Sequence, residues 1–277
     1  MGDLFCGWYF RCVSQNRSLA VIPAAHGRSF SIQLITGTGS WSVPVSAPGS
    51  FVSPAEPRAA LGENLFSPEG VSLHLEAPGL AAKGELRFHG LSPFKPDIMG
   101  PFRHVPFMEC RHSLYSLRHM VSGRLRVNGT DYVFDDDCGY IEGDRGRSFP
   151  RRYAWSQCPL PEGALMLAAA DIPIGPIGFT GVISAVSWRG EQYRLATYNG
   201  AALRRPAPGE LEIRRGGLKL RARLLEENSR PLAAPNMGRM GRTIHESVSC
   251  RAFYSMEKDG ETLFALESPL AAFEYEY

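Results

Sequence analysis

Apolar side chains along this chain recur mainly at every second position, the period of a strand with one buried face. Residues 8–13 are aromatic and β-rich, and 19–23 form a short apolar run after a polar turn at 15–18. Phe30, Ile32, Leu34 and Thr36 alternate with Ser31, Gln33 and Ile35; Trp41, Val43 and Val45 alternate next. Val71, Leu73 and Leu75 share one face of a run over 70–76, and 84–88 continues the pattern. Residues 123–127 and 131–134 flank Asn128-Gly129, a dipeptide that accepts positive φ at both central positions and so closes a tight hairpin. Beyond residue 158 the meander resumes at 164–170, 181–188, 192–198, 211–215 and 218–225, and 243–256 and 262–277 close it. Strand signals in both halves, with little helix, predict an all-β protein folded as two barrel-like antiparallel domains.

The breaks in the pattern carry their own expectations. Residues 47–62, rich in Pro, Ala and Ser, and residues 231–241, apolar and Met-bearing, read as loops. Residues 92–106 are rich in Pro and Gly, apolar and irregular. A segment of that kind predicts a cap over a cavity mouth or a connection between domains, not a loop lying open in water. Basic residues alternating with apolar ones over 204–223 read as the solvated face of strands.

One stretch concentrates the residues that chemistry uses. Between 139 and 158, Glu142, Asp144, Arg145 and Gln157 lie among Tyr140, Phe149, Tyr153 and Trp155. Tyr153, Trp155 and Gln157 alternate with Ala154 and Ser156, so two rings and an amide share one strand face, while the Gly and Pro of 143–150 predict a tight, irregular connection. Carboxylates beside such a face have the composition of a pocket wall for a large, mostly apolar ligand with a few polar anchors. The competing reading is a surface ion-pair cluster on a hairpin, with the aromatics as ordinary barrel core. In 107–120, strand geometry puts Met108, Cys110, His112 and Leu114 on one face, and helix geometry would pair Glu109 with His112. Glu109, His112 and His119 match no metal-ligand spacing, so no metal is expected, and His112 reads as a pocket polar group or a core histidine.

Composition narrows the classes. Of 277 residues 44% are hydrophobic and 21% charged, as in soluble globular proteins, and a net charge of +2 gives no reason to expect a nucleic-acid partner. No window has the length of an integral membrane span. The start lacks a basic region, and Trp8, Tyr9, Arg11 and Asn16 interrupt any apolar run, so no signal peptide is expected and the chain reads as cytoplasmic. Cys6, Cys12, Cys110, Cys138, Cys158 and Cys250 are dispersed, with no Cys-x-x-Cys pair, and read as buried thiols of a reducing compartment.

Phe5-Cys6-Gly7-Trp8-Tyr9-Phe10-Arg11 resembles the Phe-Glu-Gly-Trp-Tyr-Phe opening of plant tocopherol cyclase. The block from 140 to 158 is similar to that family's central block, with Tyr140, Glu142, Gly146, Phe149, Pro150, Trp155, Gln157 and Cys158 in register. Leu232-Ala233-Ala234-Pro235 and 263–274 resemble the family's closing segments. The sequence departs from the pattern at Cys6, at Gly143, Asp144 and Arg145, and at Tyr153, the last four inside the candidate site.

This resemblance implies two lipocalin-like antiparallel β-barrel domains packed side by side, as in the wider group of carotenoid hydratases and lipocalin-like cyclases. With a boundary near the 143–150 turn, the domains are taken as 1–145 and 146–277. It also implies acid-promoted ring closure: an acid protonates an alkene of a prenyl tail and a phenolic hydroxyl captures the cation, without redox or organic cofactor. Glu142 is the expected acid, because a carboxyl beside apolar surface is pushed toward its neutral form, and Asp144 its partner or anchor. Trp8, Tyr9, Tyr153 and Trp155 offer π faces to a carbocation. Gln157, His112 and Tyr115 are expected to bond a head group, with Tyr140 and Arg145 completing the substrate site. The alternative is a non-enzymatic carrier of a hydrophobic ligand such as a quinone, isoprenoid or fatty acyl compound. The expected partner is thus a hydrophobic small molecule, collected by transient membrane contact, on a monomer or homodimer.

Overall fold

The computed structural model describes residues 4–15, 17–105, 108–174, 177–205 and 207–277, with nothing said of the side chains of Ile174 and Ile177. Pro106 and Phe107, which join the excursion to the strand after it, Asn16 in the opening turn and Pro206 in the basic run lie outside them. The first sheet contains β1 (Phe5–Val13), β2 (Ser18–His26), β3 (Ser29–Thr36), β4 (Gly39–Val45), β5 (Phe51–Val52), β6 (Ala59–Leu61), β7 (Asn64–Ser67), β8 (Gly70–Ala77), β9 (Leu80–His89), β10 (Cys110–Val127) and β11 (Thr130–Gly146). The second contains β12 (Tyr153–Leu160), β13 (Gly163–Ile174), β14 (Ile177–Trp188), β15 (Glu191–Arg194), β16 (Ala202–Arg204), β17 (Glu210–Arg215), β18 (Leu218–Glu226), β19 (Arg230–Asn236), β20 (Arg239–Lys258) and β21 (Glu261–Tyr275). Short 3-10 turns at Gly100–His104 and Thr197–Asn199 complete the described structure.

Every pairing is antiparallel. The first sheet runs β4-β3-β2-β1-β11-β10-β9-β8-β7-β6-β5 and curls until β5 lies against β2; the second runs β15-β14-β13-β12-β21-β20-β18-β17-β16 and curls until β14 meets β16. The chain is thus the all-β pair of antiparallel barrels that the alternation predicts. Each barrel encloses its own apolar core, Phe10, Leu34 and Leu125 among the first set and Leu165, Ile213 and Tyr254 among the second. A third core lies between the barrels and includes Tyr9, Tyr140, Tyr153, Trp155, Met166 and Val248.

That third core explains a difference among the strands. In β9 buried and exposed positions alternate, because one face meets water, whereas β1 and β12 are buried along nearly their whole length. Trp8, Phe10 and Cys12 of β1 point into the first barrel, while Tyr9 and Arg11 point at the second. Ala154 and Cys158 of β12 point into the second barrel, while Tyr153 and Trp155 face the first. The barrels therefore meet along β1–β11 and β12–β21. Arg11, fully buried, crosses the seam to the carbonyls of Val248 (2.8 Å) and Leu270 (2.8 Å) and to Gln157.

Two segments read as loops contain strands. Residues 231–241 form β19, the turn at Met237-Gly238 and the start of β20. Pro231 and Pro235 are tolerated because β19 pairs with β20 alone, so the missing N–H groups interrupt no second ladder. Gln33 bonds both the N–H and the carbonyl of Ala233 at 2.9 Å and clasps this hairpin to the first barrel. Within 47–62, β5 and the start of the β6–β7 hairpin extend the first sheet. Residues 143–146, read as part of an irregular connection, instead complete β11, because β1 and β10 satisfy their backbone on both sides.

The 92–105 excursion crosses to the second barrel. Arg194 donates to the Asp97 carbonyl (2.6 Å) and Tyr198 to the Ile98 carbonyl (2.9 Å), while Phe102 packs on the rings of Phe179 and Tyr198. In the basic run, Arg214 and Arg221 both hold Glu212 at 2.6 Å on the outer face of β17–β18. All six cysteines are free thiols. No helix among the described residues is long and apolar enough to cross a membrane.

Candidate active site

A cavity of about 540 Å³ opens between the barrels, within the range of ~300–1,000 Å³ usual for small-molecule sites. It runs from a depth that includes buried polar groups out to the surface, through a mostly apolar lining. Burial falls along this path, from Glu142 and Trp155 inside to the exposed Val105 and Glu109 at the mouth.

The first-barrel wall is built by β10 and β11. Tyr140, Glu142 and Asp144 occupy alternate positions of β11 and face the seam, and register sets His112 opposite Asp144. His112 Nδ1 lies 3.1 Å from Asp144 Oδ1 and Nε2 lies 3.2 Å from Glu142 Oε2. The second contact is too poorly aligned to count as a hydrogen bond, so Nε2 has no such partner among the described residues. Burial by itself would depress the imidazolium, but the flanking Glu142 and Asp144 carboxylates hold the His112 pKa well above the ordinary histidine value. Glu142 Oε2 also accepts from the Tyr140 hydroxyl and from Trp155 Nε1 (3.0 Å), while Oε1 has no protein donor among the described residues. Cys110 Sγ reaches Asp144 at 3.4 Å.

The second-barrel wall presents Glu246 of β20 and Glu274 of β21, which face each other in register. The Tyr9 hydroxyl donates to Glu246 and the Tyr153 hydroxyl to Glu274. Burial raises the Glu246 pKa to about 7, opposed by the Tyr9 bond and Arg11. Burial and the nearby Glu246 raise that of Glu274 well above the usual carboxylate range. Between the walls stand the rings of Tyr9, Tyr140 and Trp155, with centroids 5.6–6.4 Å apart.

The structure brings Glu142, Asp144, His112, Tyr9, Tyr153 and Trp155 together on the cavity. Tyr140 and Gln157 stand behind it, the first on Glu142 and the second on Arg11. Three of the expected site residues are placed differently. Arg145 follows Asp144 on a strand and so points to the opposite face, where it donates to the Pro54 carbonyl at 3.1 Å. Tyr115 packs edge-on against Trp8 within the first barrel, away from the cavity. Trp8 borders the cavity, but its ring belongs to the first-barrel core and its indole N–H bonds the Ser53 carbonyl at 2.7 Å. That ring lies over Gly143, where a Cβ would approach it to 2.5 Å, which explains the glycine.

His112, Glu142 and Asp144 have the composition of a metal site. In this structure the imidazole ring lies between the two carboxylates, one nitrogen toward each. Glu109 lies at the mouth and His119 packs at a tilt against Phe88 inside the first barrel, its pKa pushed down to about 3 by burial, so the Glu109, His112 and His119 set does not converge.

Glu246, Glu274 and Arg11 escaped the sequence reading. A signal was present: the period of two puts Glu246 on one face with Ile244 and Val248, and Glu274 on one face with Ala272. A lone carboxyl on an apolar strand face marks either a surface or a site, and only the partner barrel decides which.

No family model and no curated protein matches the chain. Among solved structures it is similar to kievitone hydratase from Nectria haematococca, with 10% identity, a TM-score of 0.55 and coverage of 99% of this chain and 89% of that one. It is also similar to CghA, with 11% identity, a TM-score of 0.59 and coverage of 99% and 88%. At these identities the likeness is one of fold, extending through both barrels.

Proposed function

We propose that this protein binds a hydrophobic small molecule between its barrels and catalyses an acid-promoted addition across an alkene, of the cyclase or hydratase kind. One observation carries the reading: a wall of carboxyls raised toward their protonated form faces a carboxylate–imidazolium wall across an apolar, aromatic cavity. The resemblance to tocopherol cyclase and the fold shared with kievitone hydratase support it.

The expected acid Glu142 gives way to the Glu246–Glu274 pair. Glu142 Oε2 is already surrounded by donors, whereas Glu246, near 7, is poised to give a proton at the operating pH. The pair protonates one alkene carbon, leaving a carboxylate on the protein and a cation at the more substituted carbon. The π faces of Tyr9 and Trp155 stabilise that cation. An oxygen nucleophile adds and loses its proton to Glu142 Oε1, which Tyr140, Trp155 and His112 orient through Oε2. When the nucleophile is the ligand's own phenolic hydroxyl the product is a ring; when it is water the product is a hydrate. The proton on Glu142 returns to the pair before the next cycle, so the enzyme is unchanged.

Mass spectrometry of lipid extracted from the purified protein, followed by incubation of the identified compound with wild type and Glu246→Gln, tests this. Conversion to an isomer or hydrate by wild type, lost in the variant while the compound stays bound, is the expected result. A compound bound and released unchanged by wild type would instead make the protein a carrier.

A further inference from the structure

The cavity mouth combines protruding apolar side chains with arginines. Met237, Leu4 and Val105, 67%, 55% and 39% exposed, are three of the six exposed large hydrophobic residues among those described; Val133, Leu65 and Phe51 are the others. Each adjoins the opening: Val105 lines it, Leu4 precedes the lining Phe5, and Met237 lies between the lining Pro235 and Met240. They belong to one patch. Met237 N bonds Ser148 Oγ (2.8 Å), Gly238 N bonds the Arg147 carbonyl (2.6 Å), Arg147 N bonds the Glu109 carbonyl (2.7 Å), and Arg111 donates to the Val105 carbonyl (3.3 Å). Phe5, next to Leu4, packs on Phe149 at 5.5 Å.

The charge there is positive. Arg103, Arg111, Arg147 and Arg239 sit in or beside these segments, and among the described residues none is within ion-pair distance of a carboxylate. Among the described residues the acids near the mouth are Glu109 and Asp171, and Asp171 is engaged by Thr180 (2.7 Å) and Arg152 (3.7 Å). Elsewhere some arginines meet acids, as Arg124 and Arg126 meet Asp131 and Arg251 meets Glu226 and Glu267, while others, such as Arg87 and Arg215, have no such partner among the described residues.

We infer that this face docks on an anionic lipid surface, the reservoir from which the cavity is filled. Single apolar tips flanked by arginines suit insertion among lipid headgroups, where each basic side chain adds about fivefold to partitioning onto anionic membranes. A compound apolar enough for this cavity is held mainly in membranes, and an opening pressed against the bilayer takes it up without a passage through water. The inference rests on the proposed reading of the cavity as a hydrophobic ligand site.

Co-sedimentation of the full chain with vesicles tests it, using phosphatidylcholine alone against phosphatidylcholine mixed with phosphatidylglycerol. Wild type should sediment with the anionic vesicles, weakly with the neutral ones, and less as salt rises. Arg147→Glu combined with Arg239→Glu should weaken partitioning about 25-fold or more, and Met237→Asp should weaken it severalfold. Both variants should keep the wild-type melting temperature and the uptake of a fluorescent fatty-acid analogue presented in detergent. Failure of wild type to sediment with anionic vesicles, or undiminished sedimentation of the double variant, overturns the docking face. Loss of analogue uptake by wild type itself would instead count against the cavity reading, so the two failures are distinct.

Discussion

The two walls of the cavity carry the same kind of group in different surroundings. On the first barrel, Glu142 and Asp144 flank an imidazolium, and Tyr140 and Trp155 add donors to Glu142. On the second, Glu246 and Glu274 each have one phenol and a neighbouring carboxyl, with Arg11 as the cation acting on Glu246. Burial disfavours charge on both walls, but only the first has a charged partner in contact to offset it. The second wall is accordingly shifted toward its protonated form. The difference teaches that a buried carboxyl's role as donor or acceptor is set by what stands within about 4 Å of it.

The comparison can be broken from either side. The largest effect belongs to the proton-holding wall: Glu246→Gln keeps an acceptor for Tyr9 but has no proton to give, and should cut turnover by about 10²–10⁴-fold with ligand binding retained. A product assay on the co-purified ligand checks it, and near wild-type turnover would return the acid role to Glu142. Next, His112→Ala strips the cation from between Glu142 and Asp144. Breaking such a buried pair costs about 3–5 kcal/mol, visible as a lower denaturation midpoint in urea.

Stability should also depend on pH. Glu246 binds its proton more tightly in the folded protein than in the unfolded chain, so its stabilisation is complete below about pH 4.5 and is lost as pH rises through about 7. His112 acts in the same direction, its stabilisation present below pH 6.5 and lost at higher pH. Melting temperature should therefore fall as pH rises through and above neutrality, and Glu246→Gln should flatten that slope; a wild-type melting temperature that rises over this window would contradict the raised values. The smallest effect is Arg145→Ala, on the face turned away from the cavity. It should leave turnover unchanged and stability within about 0.5 kcal/mol, measured by the same assays, and a large loss of turnover would place Arg145 in the site.

Much of this arrangement was legible in the chain. The period of two gave the strands, Asn128-Gly129 closed its hairpin, and Tyr153, Trp155 and Gln157 share the face expected of them. The excursion at 92–105 does connect the barrels and wall the cavity. The failures also have causes. Arg145 was expected to complete the substrate site, but neighbours on a strand point apart, so it faces away from Asp144. Residues 231–241 looked like a loop because prolines mask a strand that needs only one partner.

Local periodicity determined the all-β character and which side chains share each face, since that depends on nearest neighbours along the backbone. What faces each of those surfaces was decided only when the barrels packed, because β1, the β11–β12 stretch and the β20–β21 hairpin come from three distant parts of the chain. That packing buried Glu246 and Glu274, bridged Glu142 and Asp144 with His112, and left a cavity between them. A carboxyl's charge depends on solvent and neighbours in three dimensions, and no spacing in one dimension specifies either.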